Sequence, residues 1–460
     1  MGPPRRRLVV PRAVLALLVA ATAVVATGPR HILFMKAPTS GALPNRTWSM
    51  LQQNPSTAFT AQHLRDMMAL VGQSSQAENA MIRVGVTFQW ELLDCFLSPH
   101  DCTPEQVADG IGAFLRAAVA ANVPVEITLD PVQFYYASNL WNWWDPGRPG
   151  FDPNNVDNVE WTGWDASSAM KIAWRDWGSQ FRMPTPQPNL ASPALLNATR
   201  GALAMAVGAI RAWYEACTSD AQKNLLVGVK LGEEVDVGAN FYYYKGGNAL
   251  LNASASDDPT HGPDWSKGLF GGLPAVGYNM LRTLNIRASG GAPTRREITM
   301  GVQNYFARII DACLQAWPAL ADNGLLVAHA GHVEDPLLIE WSAPMVKPAM
   351  PGYSFYFGPG DFAPGKPSPV GQPGLRDALA AYHNVNQTKK KADMRYVVAE
   401  SACFGCGTVE QWKGYFDAVF SETMNPYGKV AYLRYYNIEP FANSPGAVEA
   451  LRQFVAEFEG

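Results

Sequence analysis

Two segments of this 460-residue chain run from an apolar stretch directly into carboxylates. The first is Val229-Lys230-Leu231-Gly232-Glu233-Glu234-Val235-Asp236, and the second is Tyr396-Val397-Val398-Ala399-Glu400-Ser401. A carboxylate at the end of a buried apolar run is costly unless it is paired or put to use. If both runs are strands of one closed sheet, their ends face each other across its mouth. Two carboxyls about 5 Å apart suit cleavage of an acetal with retained configuration. One protonates the departing oxygen and the other attacks the carbon, whereas a wider pair suits inversion through a water. The acid must hold its proton while the nucleophile is ionised. Glu233 beside Glu234 places a like charge that raises one of the two. Each motif taken alone reads equally well as a structural ion pair; their joint placement favours chemistry.

Other residue types narrow the choice. His329 and His332, with Glu334 and Asp335 beyond, fix no third metal ligand. His329 is read as a polar residue of the cleft, and neither metal nor cofactor is expected. No Gly-x-Ser-x-Gly elbow is present, which argues against a serine hydrolase of the α/β type. Aromatic residues crowd between Pro131 and Pro193, where seven of the 14 Trp lie. Rigid, amphipathic rings pack well on the C–H faces of sugars. The alternative is a satellite core under a long loop. Trp143, Trp144 and Trp177 are taken as ligand contacts, with Tyr242 from the Tyr242-Tyr243-Tyr244 run after the glutamate pair.

The elements that must position these residues are legible as alternation. Apolar runs at 81–86, 123–129, 225–231, 325–330, 353–357, 395–399 and 430–436 are mostly separated by helical periodicity. An eighth strand falls somewhere between His31 and Met50. Continuous apolar strands between helices predict a parallel sheet covered on both faces. Eight such units predict a single (β/α)8 TIM barrel over residues 31–460, an α/β fold. A doubly wound open sheet is the alternative, but no G-x-G-x-x-G follows the first strand. Long insertions follow the third strand, from Pro131 to Pro193, and the fourth, from Gly238 to Arg296. Both leave the carboxyl ends of strands, where such barrels build their sites.

With Glu234 after strand four and Glu400 after strand seven, the chain resembles the retaining β-glycosidases of clan A. The run from Met81 to Trp90 (MIRVGVTFQW) is similar to the second-strand region of the β-galactosidase-like members. The resemblance implies Glu234 as acid/base, Glu400 as nucleophile and Arg83 as the arginine supporting Glu400. It also implies a carbohydrate substrate with a β-linkage. Trp90 is grouped with the substrate-binding residues. Where the family has Asn before the acid/base, bound to the sugar 2-hydroxyl, this chain has Glu233. That leaves the register between Glu233 and Glu234 open, and Glu233 is assigned to substrate binding. Where the family has a Trp platform on strand eight, this chain offers Tyr435 and Tyr436. Two other readings remain: a non-catalytic glycan-binding barrel and an inverting glycosidase.

Composition and ends bound the rest. Lys and Arg number 36 against 40 Asp and Glu, for a net charge of -4, and no basic stripe suggests nucleic acid. Arg5 to Arg7 precede an uncharged stretch from Ala13 to Thr27, the pattern of a secretory signal within residues 1–30. An uncleaved type II membrane anchor is the alternative. Sequons at Asn45, Asn197, Asn252 and Asn386 predict a glycoprotein that is secreted or luminal. Six cysteines in an oxidising compartment predict bridges Cys95–Cys102, Cys217–Cys313 and Cys403–Cys406.

Overall fold

The computed structural model describes residues 29–35, 59–73, 77, 80–93, 103–131, 141–176, 180–183, 185–237, 241–243, 265–267, 272–332, 342–362, 373–383, 395–420 and 429–459. The leader, Cys95, Cys102, Trp177, Asn45, Asn252 and Asn386 lie outside them.

Eight parallel strands close into a barrel: β1 (Arg30–Met35), β2 (Ile82–Glu91), β3 (Val125–Asp130), β4 (Leu226–Val235), β5 (Leu326–His332), β6 (Met350–Phe357), β7 (Arg395–Cys403) and β8 (Lys429–Tyr435). β1 pairs with both β2 and β8, which closes the ring. The strand left unplaced in the sequence is thus Arg30–Met35. The covering helices are α1 (Ala61–Leu70), α2 (Pro104–Ala121), α3 (Pro193–Ala216), α4 (Arg295–Ala316), α5 (Pro373–His383), α6 (Val409–Phe420) and α7 (Ala447–Glu459). Their starts are written in the sequence. Thr103 and Thr294 form capping boxes with Gln106 and Glu297, satisfying first-turn N–H groups that the helix leaves open.

Alternation sorts each strand into two faces. Phe88 and Trp90 of β2 point outward and pack with Phe59 and Phe114 under the helices. Inside, Leu33, Val327, Val397, Ala399 and Tyr432 fill the barrel as a small apolar cluster. Gly228 and Gly352 leave room for it: a Cβ at Gly228 would lie 2.8 Å from the Tyr432 hydroxyl, and one at Gly352 would lie 2.9 Å from Ala399 Cβ. Other interior positions, among them Glu126, Lys230, His329, Ser354 and Arg434, are polar and buried.

The two insertions meet. Strands Ala173–Asp176 and Gln180–Met183 from the first pair antiparallel, and Phe241–Tyr242 from the second joins their edge. Asn279 also donates to the Asp157 and Val159 carbonyls, which ties the second insertion to the first.

Cys403 and Cys406 are bonded, as predicted. Cys217 and Cys313 are free thiols, which corrects the expected Cys217–Cys313 bridge. The reason is axial register. Tyr214 of α3 packs on Trp317 at 5.0 Å, and Arg211 reaches the Ala316 carbonyl. Cys217 then lies a turn beyond that level and Cys313 a turn before it. At about 1.5 Å per residue the offset is roughly 10 Å, too far for a disulfide's reach.

Candidate active site

Two β-bulges aim the carboxylates. Between Leu231 and Val235 the pairing of β4 with β5 slips, and four residues on β4 span what two span on β5. Gly232 at φ +78° and Glu234 at φ +49° absorb the extra length in the left-handed region. A side chain at Gly232 would meet Val235 Cγ2 at 2.3 Å. β7 slips against β6 between Val398 and Glu400. Val397 and Ala399 already face inward, so strict alternation would turn Glu400 outward. The slip returns it to the interior. An inserted residue re-aims the next side chain in this way, and bulges gather beside active sites.

The result is a cluster of three glutamates over two buried cations. Arg434 Nη1 donates to Glu233 Oε1 at 2.6 Å and lies 3.4 Å from Glu400 Oε2. Lys230 Nζ donates to Glu233 Oε2 at 2.7 Å and to the Ala399 carbonyl at 3.2 Å. The Tyr356 hydroxyl of β6 donates to Glu400 Oε1 at 2.6 Å and reaches Glu234 Oε1 at 3.2 Å. One hydroxyl therefore touches both carboxyls that the sequence assigned to catalysis. Glu234 and Glu400 are nearly buried.

These contacts divide the charges. Burial alone would raise Glu233, but Arg434, Lys230 and a hydrogen bond from Glu400 outweigh it and hold its carboxyl well below the usual range. Glu400 goes the other way. Burial, then the Glu234 and Glu233 carboxylates and the hydrogen bond to Glu233, push it well above that range, against Arg434. The raised Glu400 favours its protonated form, whose hydrogen bond goes to Glu233. Burial and the carboxylates at either end likewise push the Tyr356 hydroxyl up.

Several expected residues stand elsewhere. Arg83 does not support Glu400. It sits at the start of β2, at the opposite end of the barrel, and binds the Asn122 side chain at 3.0 Å beyond α2. Arg434 of β8 takes the place next to Glu400. Trp90 belongs to the outer aromatic core and is not a cleft residue. Tyr435 also points outward, against Phe34, Trp412 and Phe441. Its neighbour Tyr436 stands at the mouth with its ring partly exposed, while its sheltered hydroxyl, near Glu400, Glu234 and Glu233, is pushed up to about 12. His329 lies beneath the site instead of lining it. Its Nδ1 accepts from the Glu234 backbone N–H at 3.3 Å, which leaves Nε2 to face Ser354 Oγ at 2.9 Å. Trp143 and Trp144 pack edge to face within the first insertion, where Trp143 donates to the Met170 carbonyl. Tyr242 lies on the edge strand that joins the insertions. Among the described residues, no group of three or more His, Cys, Asp or Glu side chains is arranged to hold a metal ion.

Arg434, Lys230 and Tyr356 were missed. The first two had a signal: each is a lone charge inside an apolar strand, the same pattern that marked Glu400. Tyr356 had none, because it sits in the aromatic run Tyr353-Ser354-Phe355-Tyr356-Phe357.

No family model matches the chain, and no curated protein matches it in sequence. Among solved structures it is similar to an exo-beta-1,4-mannosidase, Op5Man5, from an Opitutaceae bacterium, at 12% identity and a TM-score of 0.40. That match covers 94% of this chain and 61% of the mannosidase, so the chain spans about six-tenths of that protein's length. A second similar structure is GH5_18 from Bifidobacterium longum subsp. longum, at 9% identity and TM-score 0.40, covering 94% of this chain and 80% of that one. An exo-beta-agarase matches at 12% identity and TM-score 0.35, over 77% of this chain and 46% of its own. Likenesses this distant assign no activity; the closed parallel barrel and its carboxylate cluster rest on the strand pairing and contacts above.

Proposed function

We propose that the protein is a retaining glycoside hydrolase that cleaves β-glycosidic bonds by double displacement. The observation that carries this reading is the Tyr356 hydroxyl in contact with both Glu234 and Glu400. Those two oxygens are separated by less than the sum of the two contacts. That is short of the about 6.5–9.5 Å at which a carboxyl pair leaves room for an inverting water.

In the first step Glu400 attacks the anomeric carbon, the glycosidic C–O bond breaks, and Glu234 gives its proton to the departing oxygen. In the second, water attacks the same carbon, Glu234 takes its proton, and the bond to Glu400 breaks. The attacking form needs Glu400 ionised and Glu234 protonated. One proton distributed over the coupled carboxyls yields that form, and the Tyr356 hydroxyl exchanges it between them. Arg434 then faces an ionised Glu400. Glu233, locked by two cations, accepts a hydrogen bond from the sugar instead of donating one. The buried polar floor beneath the glutamates excludes water and keeps these charges strong.

The secretory route belongs to the same proposal, supported by the bonded Cys403–Cys406 pair. The test is a screen of aryl β-glycosides and β-linked oligosaccharides against the purified protein, with product configuration read by NMR. Turnover with retention, absent in Glu400→Gln, is expected. Inverted product overturns double displacement. Saturable glycan binding without turnover points to a non-catalytic binding barrel.

A further inference from the structure

Phe404 is the most exposed large apolar side chain among the described residues, at 61%. It is the first residue past the carboxyl end of β7, which closes at Cys403. One face of its ring stacks on Tyr356 at 5.4 Å and 28°, and Tyr356 is the residue whose hydroxyl touches Glu234 and Glu400. The rest of the side chain is largely exposed. Such a ring normally belongs in the core, yet here four local contacts hold it out. The Cys403–Cys406 bond closes the loop around it. Gly405 at φ +83° supplies the left-handed turn that a side chain would resist. The Phe404 N–H donates to the Phe357 carbonyl at 2.8 Å, and Ser444 holds the Cys406 carbonyl at 2.8 Å. On the other flank of Glu400, Tyr436 is 40% exposed and its N–H is pinned to the Ser401 carbonyl at 2.7 Å. Two open aromatic rings thus bracket the strand that carries Glu400.

We propose that Phe404 is a stacking platform for a second sugar ring of the substrate, next to the ring being cleaved, and that the Cys403–Cys406 bond is there to fix that platform. This rests on the glycosidase reading. A pyranose presents an apolar C–H face, and an open, pre-fixed ring binds it with little loss of side-chain freedom. Stacking on a remote ring is shared by ground and transition states, so it lowers KM and leaves kcat alone. The disulfide then acts on substrate length and not on the chemistry.

The experiment compares two substrates of the sugar selected by the screen: its β-glycosyl fluoride, which has no second ring, and its β-linked trisaccharide. Phe404→Ala should raise KM for the trisaccharide about 3- to 10-fold, the size of one aromatic contact, with kcat unchanged. KM for the fluoride should not move. Phe404→Trp should restore tight binding, and the Cys403→Ala/Cys406→Ala double variant should reproduce the trisaccharide defect. Equal effects on both substrates, or none on either, overturn the platform. If the wild-type protein turns over neither substrate, the glycosidase reading fails. The platform is then tested by calorimetric titration of cellotriose, mannotriose and galactotriose. Weaker binding by Phe404→Ala supports it. Equal binding, or no binding to wild type, overturns it.

Discussion

Glu233 is the most constrained residue of the site. Its two oxygens are held by Arg434 and Lys230, and it accepts from Glu400. Glu233→Gln is therefore not the mild change that a simple sugar contact would suggest. Removing one partner from a buried ion cluster costs about 3–5 kcal/mol, because the cations remain. Denaturant titration of the variant should show a loss of that order. A second effect follows in the opposite sense. Glu233 helps raise Glu400, so without its charge Arg434 pulls Glu400 down. The acidic limb of kcat/KM against pH should move to lower pH in Glu233→Gln; an unmoved or raised limb rejects the coupling. The two catalytic assignments separate by leaving group. Glu400→Ala should abolish turnover of every substrate. Glu234→Ala should lose about 10²–10⁴-fold on poor leaving groups and much less on aryl glycosides, because only the former need a proton.

At the level of elements, the bulge in β4 is what the site depends on. Gly232→Ala adds a methyl group at φ +78° and 2.3 Å from Val235 Cγ2. We expect a loss of about 1–3 kcal/mol and a larger fall in kcat than stability alone explains, since Glu233 and Glu234 shift with the backbone. Gly208, inside α3, is the control. Nothing lies within 4 Å of a Cβ there, so Gly208→Ala should stabilise by about 0.5–1 kcal/mol through helix propensity. Thermal melts of the two variants should move in opposite directions. Two losses would mean that α3 is packed more tightly than its surroundings show.

Across the whole molecule, the two insertions that pack on each other share a buried acid. Glu160 of the first is fully buried, and burial pushes its carboxyl up to about 8, against backbone N–H groups of Trp161, Met280, Asn279 and Gly277. The folded state thus holds a proton that the unfolded chain releases near its ordinary value. The stability this contributes is full below about 4.5 and is lost as pH rises toward about 8. Melting temperature against pH should fall less steeply over that range in Glu160→Gln than in wild type; parallel curves reject the assignment. The thiols give a second whole-chain test. Alkylation of the unfolded, unreduced protein should label Cys217 and Cys313 and leave Cys403 and Cys406 unlabelled, read by peptide mass spectrometry. A cross-linked Cys217–Cys313 peptide would show the two helices in a different axial register.

What the sequence determined by itself was the barrel and the pair of strand ends. Apolar runs of strand length between capped helices leave few alternatives to a covered parallel sheet, and a carboxylate closing such a run is too costly to be idle. That logic reached Glu234 and Glu400, and applied evenly it would have reached Lys230 and Arg434. Only the tertiary structure decided the rest. A period of two gives each side chain a face only while the ladder is regular; Glu234 sits within the slip in β4 and Glu400 just past the slip in β7, and no local pattern announces either. Arg83 and Arg434 are both arginines on apolar strands. Which one meets Glu400 depends on height along the barrel: Arg83 opens its strand, whereas Arg434 nearly closes its own. Trp90 and Tyr435 face the helices, and Cys217 misses Cys313, because facing and axial register belong to the packed barrel and not to the segments that form it.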